Sequence, residues 1–298
     1  MNCQDQIYSE EYIDFIGNRS LIESKYTLDC KQPLGARFAS LYLKLSDGYE
    51  DGTVYGYYNI PKLFGLQDTG SMESSGILQV RENPDLKLDG SGVLIGFVDT
   101  GIDYAGSIFL KQDGTTRVTA IWDQTIPAGS PIRLPAQPEL PETPENITRT
   151  PEGFLYGSEF THEQLNAAVK MEDAYEGISS RDENGHGTFL ASIAAGNELP
   201  DGSFTGAAPK ADIAMVKLKP AKNRLRAYYQ IKEDAVAYQE NDIMAGVLYL
   251  VSLAKKRQQP LVICLGLGTN AGSHRGGLPL ARMLEGLGSS VGITIVAG

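Results

Sequence analysis

The chain has 298 residues, enough for one large α/β domain or two smaller ones with a sizeable core. Its net charge of -11 argues against binding to the nucleic-acid backbone, which requires a basic surface. The sequence contains no run of about 18 apolar residues, the length that could span a membrane. Residues 1–17 lack the basic start and the apolar stretch of a secretory signal. We therefore expect a protein that is cytoplasmic at synthesis, with neither nucleic-acid nor membrane partners.

Three cysteines, Cys3, Cys30 and Cys264, are widely separated in the sequence. Their spacing fits no zinc motif, and an odd number in a chain of this length is not typical of a disulfide scaffold. We expect them to be reduced. Cys264 lies within the apolar run 261–265, which indicates a buried core thiol. We predict neither a metal nor a cofactor.

The first 80 residues carry mixed signals. Turn residues occur at Asp-Gly pairs, and the alternating stretches 40–45 and 55–60 are typical of strands. This part of the chain could be a small α+β unit of its own.

The pattern changes at residue 93, where a continuous apolar run ends at Asp99, as expected for a strand buried on both faces. Similar runs alternate with stretches of helical periodicity, which predicts an α/β fold with a parallel sheet covered by helices on both faces. The predicted strands are 93–98, 213–218, 261–265 and 293–296, and the predicted helices are 188–195, 242–256 and 278–287. Residues 126–153 hold seven of the 15 prolines, which predicts an extended surface loop.

Asp99 is the first candidate functional residue, because the carboxyl ends of parallel strands are where α/β folds place catalytic groups. By itself, the Asp-Thr-Gly sequence at residues 99–101 is also found in aspartic proteases and in ordinary turns. Asp103 is a rival carboxylate in the same segment, but Asp99 directly ends the apolar strand.

His186 is the second candidate, because it lies between two glycines at the start of a predicted helix of small residues. The glycines allow backbone or substrate to approach the imidazole closely, although a histidine that merely caps a helix would also fit. His274 lies in a Gly- and Ser-rich loop, where a structural role is expected. A buried carboxylate that holds an imidazole in one tautomer can activate a hydroxyl, which favours pairing Asp99 with His186.

These segments resemble the subtilase (peptidase S8) family of serine proteases. Residues 98–103 (Val-Asp-Thr-Gly-Ile-Asp) resemble the motif around the catalytic Asp, and residues 185–188 (Gly-His-Gly-Thr) the motif around the catalytic His. The segment with Gly266, Leu267 and Gly268 is similar to the strand that lines the substrate cleft, with Gly266 where the family has Ser. Stretches near residues 120–125, 156–161 and 268–274 resemble the clostridial spore-germination (Csp-type) branch.

The resemblance implies a subtilisin-like catalytic domain at residues 81–298 and a pro-region at residues 1–80. It implies that Asp99 orients His186, that His186 is the general base, and that substrate adds as a strand along residues 266–268. The expected partners are a protein or peptide substrate and the chain's own pro-region. The Csp-type likeness adds a possible association with the spore.

One departure from the family is serious, because no Gly-Thr-Ser-x-Ala motif occurs in the 298 residues. We expect the nucleophilic Ser, the oxyanion Asn and the carboxyl-terminal part of the fold to lie beyond residue 298, so that this chain alone is inactive. A non-catalytic regulator that binds a partner in spore germination is the alternative. A nucleotide-binding α/β protein is disfavoured, because the sequence has no G-x-G-x-x-G motif.

Overall fold

The computed structural model describes residues 2–25, 30–44, 57–66, 88–135, 147–201, 204–272 and 275–297. The α-helices in these ranges are α1 (Cys3–Tyr8), α2 (Arg19–Lys25), α3 (His162–Val169), α4 (Ala174–Gly177), α5 (His186–Ala195), α6 (Asn223–Tyr228), α7 (Glu240–Arg257) and α8 (Pro279–Gly288). The strands are β1 (Tyr12–Asn18), β2 (Lys31–Leu34), β3 (Phe38–Lys44), β4 (Leu63–Leu66), β5 (Leu94–Asp99), β6 (Val118–Asp123), β7 (Ser158–Thr161), β8 (Asp212–Lys217), β9 (Tyr238–Gln239), β10 (Leu261–Leu265), β11 (Leu267–Gly268) and β12 (Ile293–Ala297).

The central sheet has six strands in the order β12-β10-β5-β8-β6-β7. Every neighbouring pair is parallel except β6 and β7, which are antiparallel. The prediction of an α/β fold with a mainly parallel sheet is therefore confirmed. Strand β5, which ends at Asp99, lies inside this sheet between β10 and β8.

Helices cover both faces of the sheet, because alternate side chains of each strand point to opposite sides. Leu94 and Val98 of β5 belong to a core that includes residues of α7 such as Leu250. Ile95 and Phe97 belong to a second core, which includes residues of α3 and α5. This double coverage explains why β5 is apolar at every position before Asp99.

The strands and helices predicted after residue 92 agree with the observed elements to within two residues at each end. The sequence reasoning missed β6, β7 and α3. Strand β6 is fully buried, but Thr119 and Trp122 interrupt its aliphatic pattern. Strand β7 is short and pairs only with β6 at the edge of the sheet.

The N-terminal part forms an antiparallel sheet in the order β1-β3-β2, with α1 and α2 beside it. This is the α+β arrangement expected of the segment. The expected strand at 55–60 is wrong in its described part, because Tyr57–Asn59 form a 3-10 helix.

The expectation that the cysteines are reduced is wrong for two of the three. Cys3 and Cys30 form a disulfide between α1 and the residue before β2. They are 27 residues apart in sequence, and only the folding of the N-terminal sheet brings them together. Cys264 is a free thiol and is half-buried on β10, less deeply than expected.

The proline-rich segment forms no helix and no strand in its described parts, 126–135 and 147–153. Isolated bridges join Pro131 to Ile147 and Arg149 to Glu159, and Ile132 is buried. Residues 136–146 of the predicted loop lie outside the described residues.

A third sheet joins the N-terminal part to the part that contains the central sheet, with the order β11-β4-β9. A third apolar core lies nearby and combines residues of β1 and β3 with Leu225 of α6. No helix in the described part of the chain is long and apolar enough to cross a membrane.

Candidate active site

Asp99 lies at the carboxyl end of β5 and is almost completely buried, with 1% of its surface exposed. Its Oδ1 atom accepts a hydrogen bond from the backbone N–H of Thr100 at 2.7 Å. Among the described residues, no group donates a hydrogen bond to Oδ2. Burial raises the pKa of Asp99, and the hydrogen bonds from His186 and Thr100 oppose this shift.

His186 is the first residue of α5, and its side chain is 14% exposed. Gly185 caps the helix with a φ of 87°, a conformation that strains other residues. A Cβ atom on Gly187 would lie 2.2 Å from the carbonyl oxygen of Gly101, so only glycine lets α5 start this close to the end of β5. The two glycines therefore set the position of the imidazole against Asp99.

The structure brings the two candidates together. Nδ1 of His186 lies 2.8 Å from Oδ1 of Asp99, although the residues are 87 positions apart. Because a carboxylate can only accept, Nδ1 carries the hydrogen, and the neutral imidazole then has Nε2 as its proton acceptor. This is the tautomer that a general base requires.

Of the two rival residues, Asp103 does not take part in this pair. Asp103 is exposed and accepts a hydrogen bond from the Tyr175 hydroxyl. His274 lies outside the described residues.

The predicted cleft strand lies directly beside the pair. An ideal Cβ atom at Gly266 would be 3.2 Å from Cε1 of His186 and 3.3 Å from Oδ2 of Asp99. The same atom would be 2.2 Å from Cδ1 of Leu190 on α5. Glycine at this position is therefore explained by Leu190, which occupies the space that a side chain would need.

Strand β11, made of Leu267 and Gly268, is already paired with another part of the chain. Leu267 is opposite Leu66 and Gly268 is opposite Gly65, in antiparallel register. On its other side, β4 pairs with β9. A segment of the N-terminal part therefore lies as the middle strand of a three-stranded sheet next to the Asp99–His186 pair.

Asp182 is a further residue at this site, and the sequence analysis assigned no role to it. Its carboxylate accepts hydrogen bonds from Thr100, Gly185 and Thr188, which surround the start of α5. In the sequence, only its position four residues before His186 indicated that Asp182 could lie near the imidazole. The described residues contain no cluster of three or more His, Cys, Asp or Glu side chains that could hold a metal ion.

Comparisons with known proteins identify the family of this chain. Residues 90–289 match the Subtilase family of the S8 peptidases. A stretch of 144 residues is 30% identical to the subtilisin-like protease SBT3.8 of Arabidopsis thaliana, covering 43% of this chain and 16% of the plant protein. The structure of the CspB protease of Clostridium perfringens is similar with a TM-score of 0.55 and 28% identity, over 74% of this chain and 38% of that one. The chain thus spans well under half the length of these relatives.

Proposed function

The chain belongs to the subtilase family of serine peptidases, and from this premise we propose that it is the Asp/His part of a serine endopeptidase. Asp99 orients His186, and His186 takes the proton of a serine hydroxyl as that hydroxyl attacks the peptide carbonyl. The 2.8 Å contact between Asp99 and His186 beside the cleft strand carries this proposal.

The proposed substrate is a protein segment that binds as an added strand. Strand β4 supports this, because its residues Leu66 and Gly65 pair with Leu267 and Gly268 as a bound peptide would. We propose that residues 1–80 are a pro-region and that the first bond cut lies in the segment between about residues 65 and 85. The sequence between residues 70 and 76 is rich in Gly and Ser, which are residue types preferred at sites of cleavage. A germination-related substrate is part of the proposal because the CspB protease is a structural neighbour.

The nucleophile we propose is a serine outside residues 1–298, because no Gly-Thr-Ser-x-Ala motif occurs within them. An Asn beyond residue 298 would complete the oxyanion hole, for which a lost donor costs about 10²–10³ in rate. The 298-residue chain should accordingly cleave no peptide bond.

The test is to sequence the gene past residue 298 and to express the longer product. Release of the N-terminal segment, located by mass spectrometry, and cleavage of an added protein substrate are the two readouts. His186→Ala should abolish both, and Asp99→Asn should lower kcat by about 10⁴-fold because it favours the wrong imidazole tautomer. His274→Ala is the matched control and should leave turnover intact. A His186→Ala protein that cuts at the wild-type rate would refute the mechanism.

A second candidate function is that of a non-catalytic regulator with a subtilase-like scaffold. It is favoured by the missing serine motif and by Gly266, which replaces the family's Ser in the cleft. If the longer gene encodes no serine in a Gly-Thr-Ser setting, this function replaces the first. The retained Asp99–His186 pair counts against it, because a site that has lost its activity need not keep both residues.

A further inference from the structure

Helix α5 begins without a capping side chain of its own. Its N-cap residue is Gly185, and the first N–H groups of a helix have no partner within the helix. Two side chains from elsewhere supply the missing acceptors. The N–H of Gly187 donates to Oγ1 of Thr100 at 2.8 Å, and the N–H of Thr188 donates to Oδ2 of Asp182 at 2.8 Å.

The carboxylate of Asp182 is the centre of this arrangement, because its two oxygens accept four hydrogen bonds. Oδ1 accepts from the Thr100 hydroxyl at 2.7 Å and from the Gly185 N–H at 2.9 Å. Oδ2 accepts from both the N–H and the hydroxyl of Thr188, the latter at 2.6 Å. Burial raises the pKa of Asp182, but these hydrogen bonds outweigh it and hold the pKa below its usual value. The group is therefore an anion at the positive end of α5.

Thr100 links this centre to the other half of the catalytic pair. Its hydroxyl lies between Asp182 and the Gly187 N–H, and its own N–H donates to Asp99. A path of hydrogen bonds thus runs from the Asp99 carboxylate through Thr100 and Asp182 to the first turn of α5. This path is independent of the direct contact between Asp99 and His186.

We propose that Asp182 is a positioning residue for His186, which it holds in register with Asp99 by fixing the first turn of α5 to the end of β5. The inference rests on the proposed role of His186 as general base. In the proposed function substrate binds along β11, and none of the four hydrogen bonds of Asp182 involves β11, so loss of its carboxylate should lower kcat and leave KM unchanged. A small misplacement of a catalytic group costs up to about 100-fold in rate.

The decisive variant is Asp182→Asn, because an amide keeps the size but has only one accepting atom, so two of the four donors lose their partner. Asp173→Asn is the matched control. Asp173 also caps a helix, but its Oδ1 accepts a single backbone hydrogen bond, from Tyr175, which asparagine can replace.

The readout is the Nδ1 proton of His186 in the 298-residue chain, measured by NMR on protein with ¹⁵N-labelled histidine and assigned by its loss in His186→Ala. We expect a sharp downfield signal in the wild type and in Asp173→Asn. In Asp182→Asn we expect at least about 10-fold faster exchange with water, because the helix start opens more often. A wild-type signal in folded Asp182→Asn would overturn the proposal.

Two further measurements keep the result decisive. If Asp182→Asn does not fold, Thr188→Val takes its place, because it removes one of the four donors. The Nδ1 proton of His186 should again exchange faster with water than in the wild type. An unchanged exchange rate in Thr188→Val would also overturn the proposal. In an active longer chain, Asp182→Asn should lower kcat about 10- to 100-fold with KM within about twofold. Because the NMR signal needs no peptidase activity, failure of the proposed function and failure of this inference are distinguishable.

Discussion

Asp14→Ala should be among the most destabilising single substitutions in the N-terminal part of this chain. Asp14 lies in the middle of β1 and is completely buried. Its carboxylate accepts a hydrogen bond from the Lys222 ammonium, which is 4% exposed. It also accepts hydrogen bonds from Gln239 at 2.9 Å and from Asn241 at 3.1 Å. These interactions join β1 to the residue before α6, to β9 and to the first turn of α7.

The expected loss follows from what Asp14→Ala leaves behind. Burial lowers the pKa of Lys222, and the negative charge of Asp14 opposes this shift. Without Asp14 the buried ammonium loses the carboxylate that contacts it and keeps the weaker attraction of Asp242. Removing one partner of a buried ion pair costs about 3–5 kcal/mol. Two amide groups also lose an acceptor, so we expect the free energy of unfolding to fall by about 4 kcal/mol. This is a large share of the ~5–15 kcal/mol typical of a native protein.

Urea titration measures this loss, with Trp122 as the reporter. Trp122 is the single tryptophan and is fully buried in β6. The free energy of unfolding falls linearly with urea concentration, so with a slope typical of proteins the urea concentration at the midpoint of unfolding should fall by about 1–2 M. Glu11→Ala is the control, because Glu11 forms only an exposed ion pair with Lys44 at 3.6 Å, a type of pair that contributes about 0–1 kcal/mol. A loss for Asp14→Ala no larger than that for Glu11→Ala would refute the reasoning.

Two further predictions concern Cys264 and Gly266. Burial raises the pKa of the Cys264 thiol from 9.0 to about 11, so between these values the folded chain keeps a proton that the unfolded chain loses. The stabilising contribution of this thiol should therefore fall as the pH rises from 9 towards 11. Iodoacetamide at pH 9 should alkylate Cys264 in the native chain at least about 10-fold more slowly than in the unfolded chain. Equal alkylation rates would contradict the burial of the thiol. Gly266→Ser should lower the free energy of unfolding by about 1–3 kcal/mol, because its Cβ would lie 2.2 Å from Cδ1 of Leu190. Adding Leu190→Ala should recover part of that loss, and strictly additive effects in a double-mutant cycle would refute the clash.

The sequence by itself determined four of the six strands of the central sheet, namely β5, β8, β10 and β12. Strands β5 and β8 are buried on both faces, and β10 is buried on one face and half-buried on the other, so nearly every side chain is apolar and each run has clear limits. The polar residue that ends such a run identifies a candidate site, as Asp99 does. Strand β7 and the 3-10 helix Tyr57–Asn59 were not predictable in this way, because short elements at an edge or in a connection have no pattern of burial to reveal them.

Only the tertiary structure decided which distant residues meet. Asp99 and His186 were each visible in the sequence, but their 2.8 Å contact depends on how α5 lies against the end of β5. The disulfide between Cys3 and Cys30, the hydrogen bond from the Thr100 hydroxyl to Asp182 and the filling of the Gly266 position by Leu190 gave no local signal. The local sequence pattern indicates whether a side chain faces the core or water. Contacts between residues far apart in the chain depend on how the elements pack, and the local pattern does not indicate this.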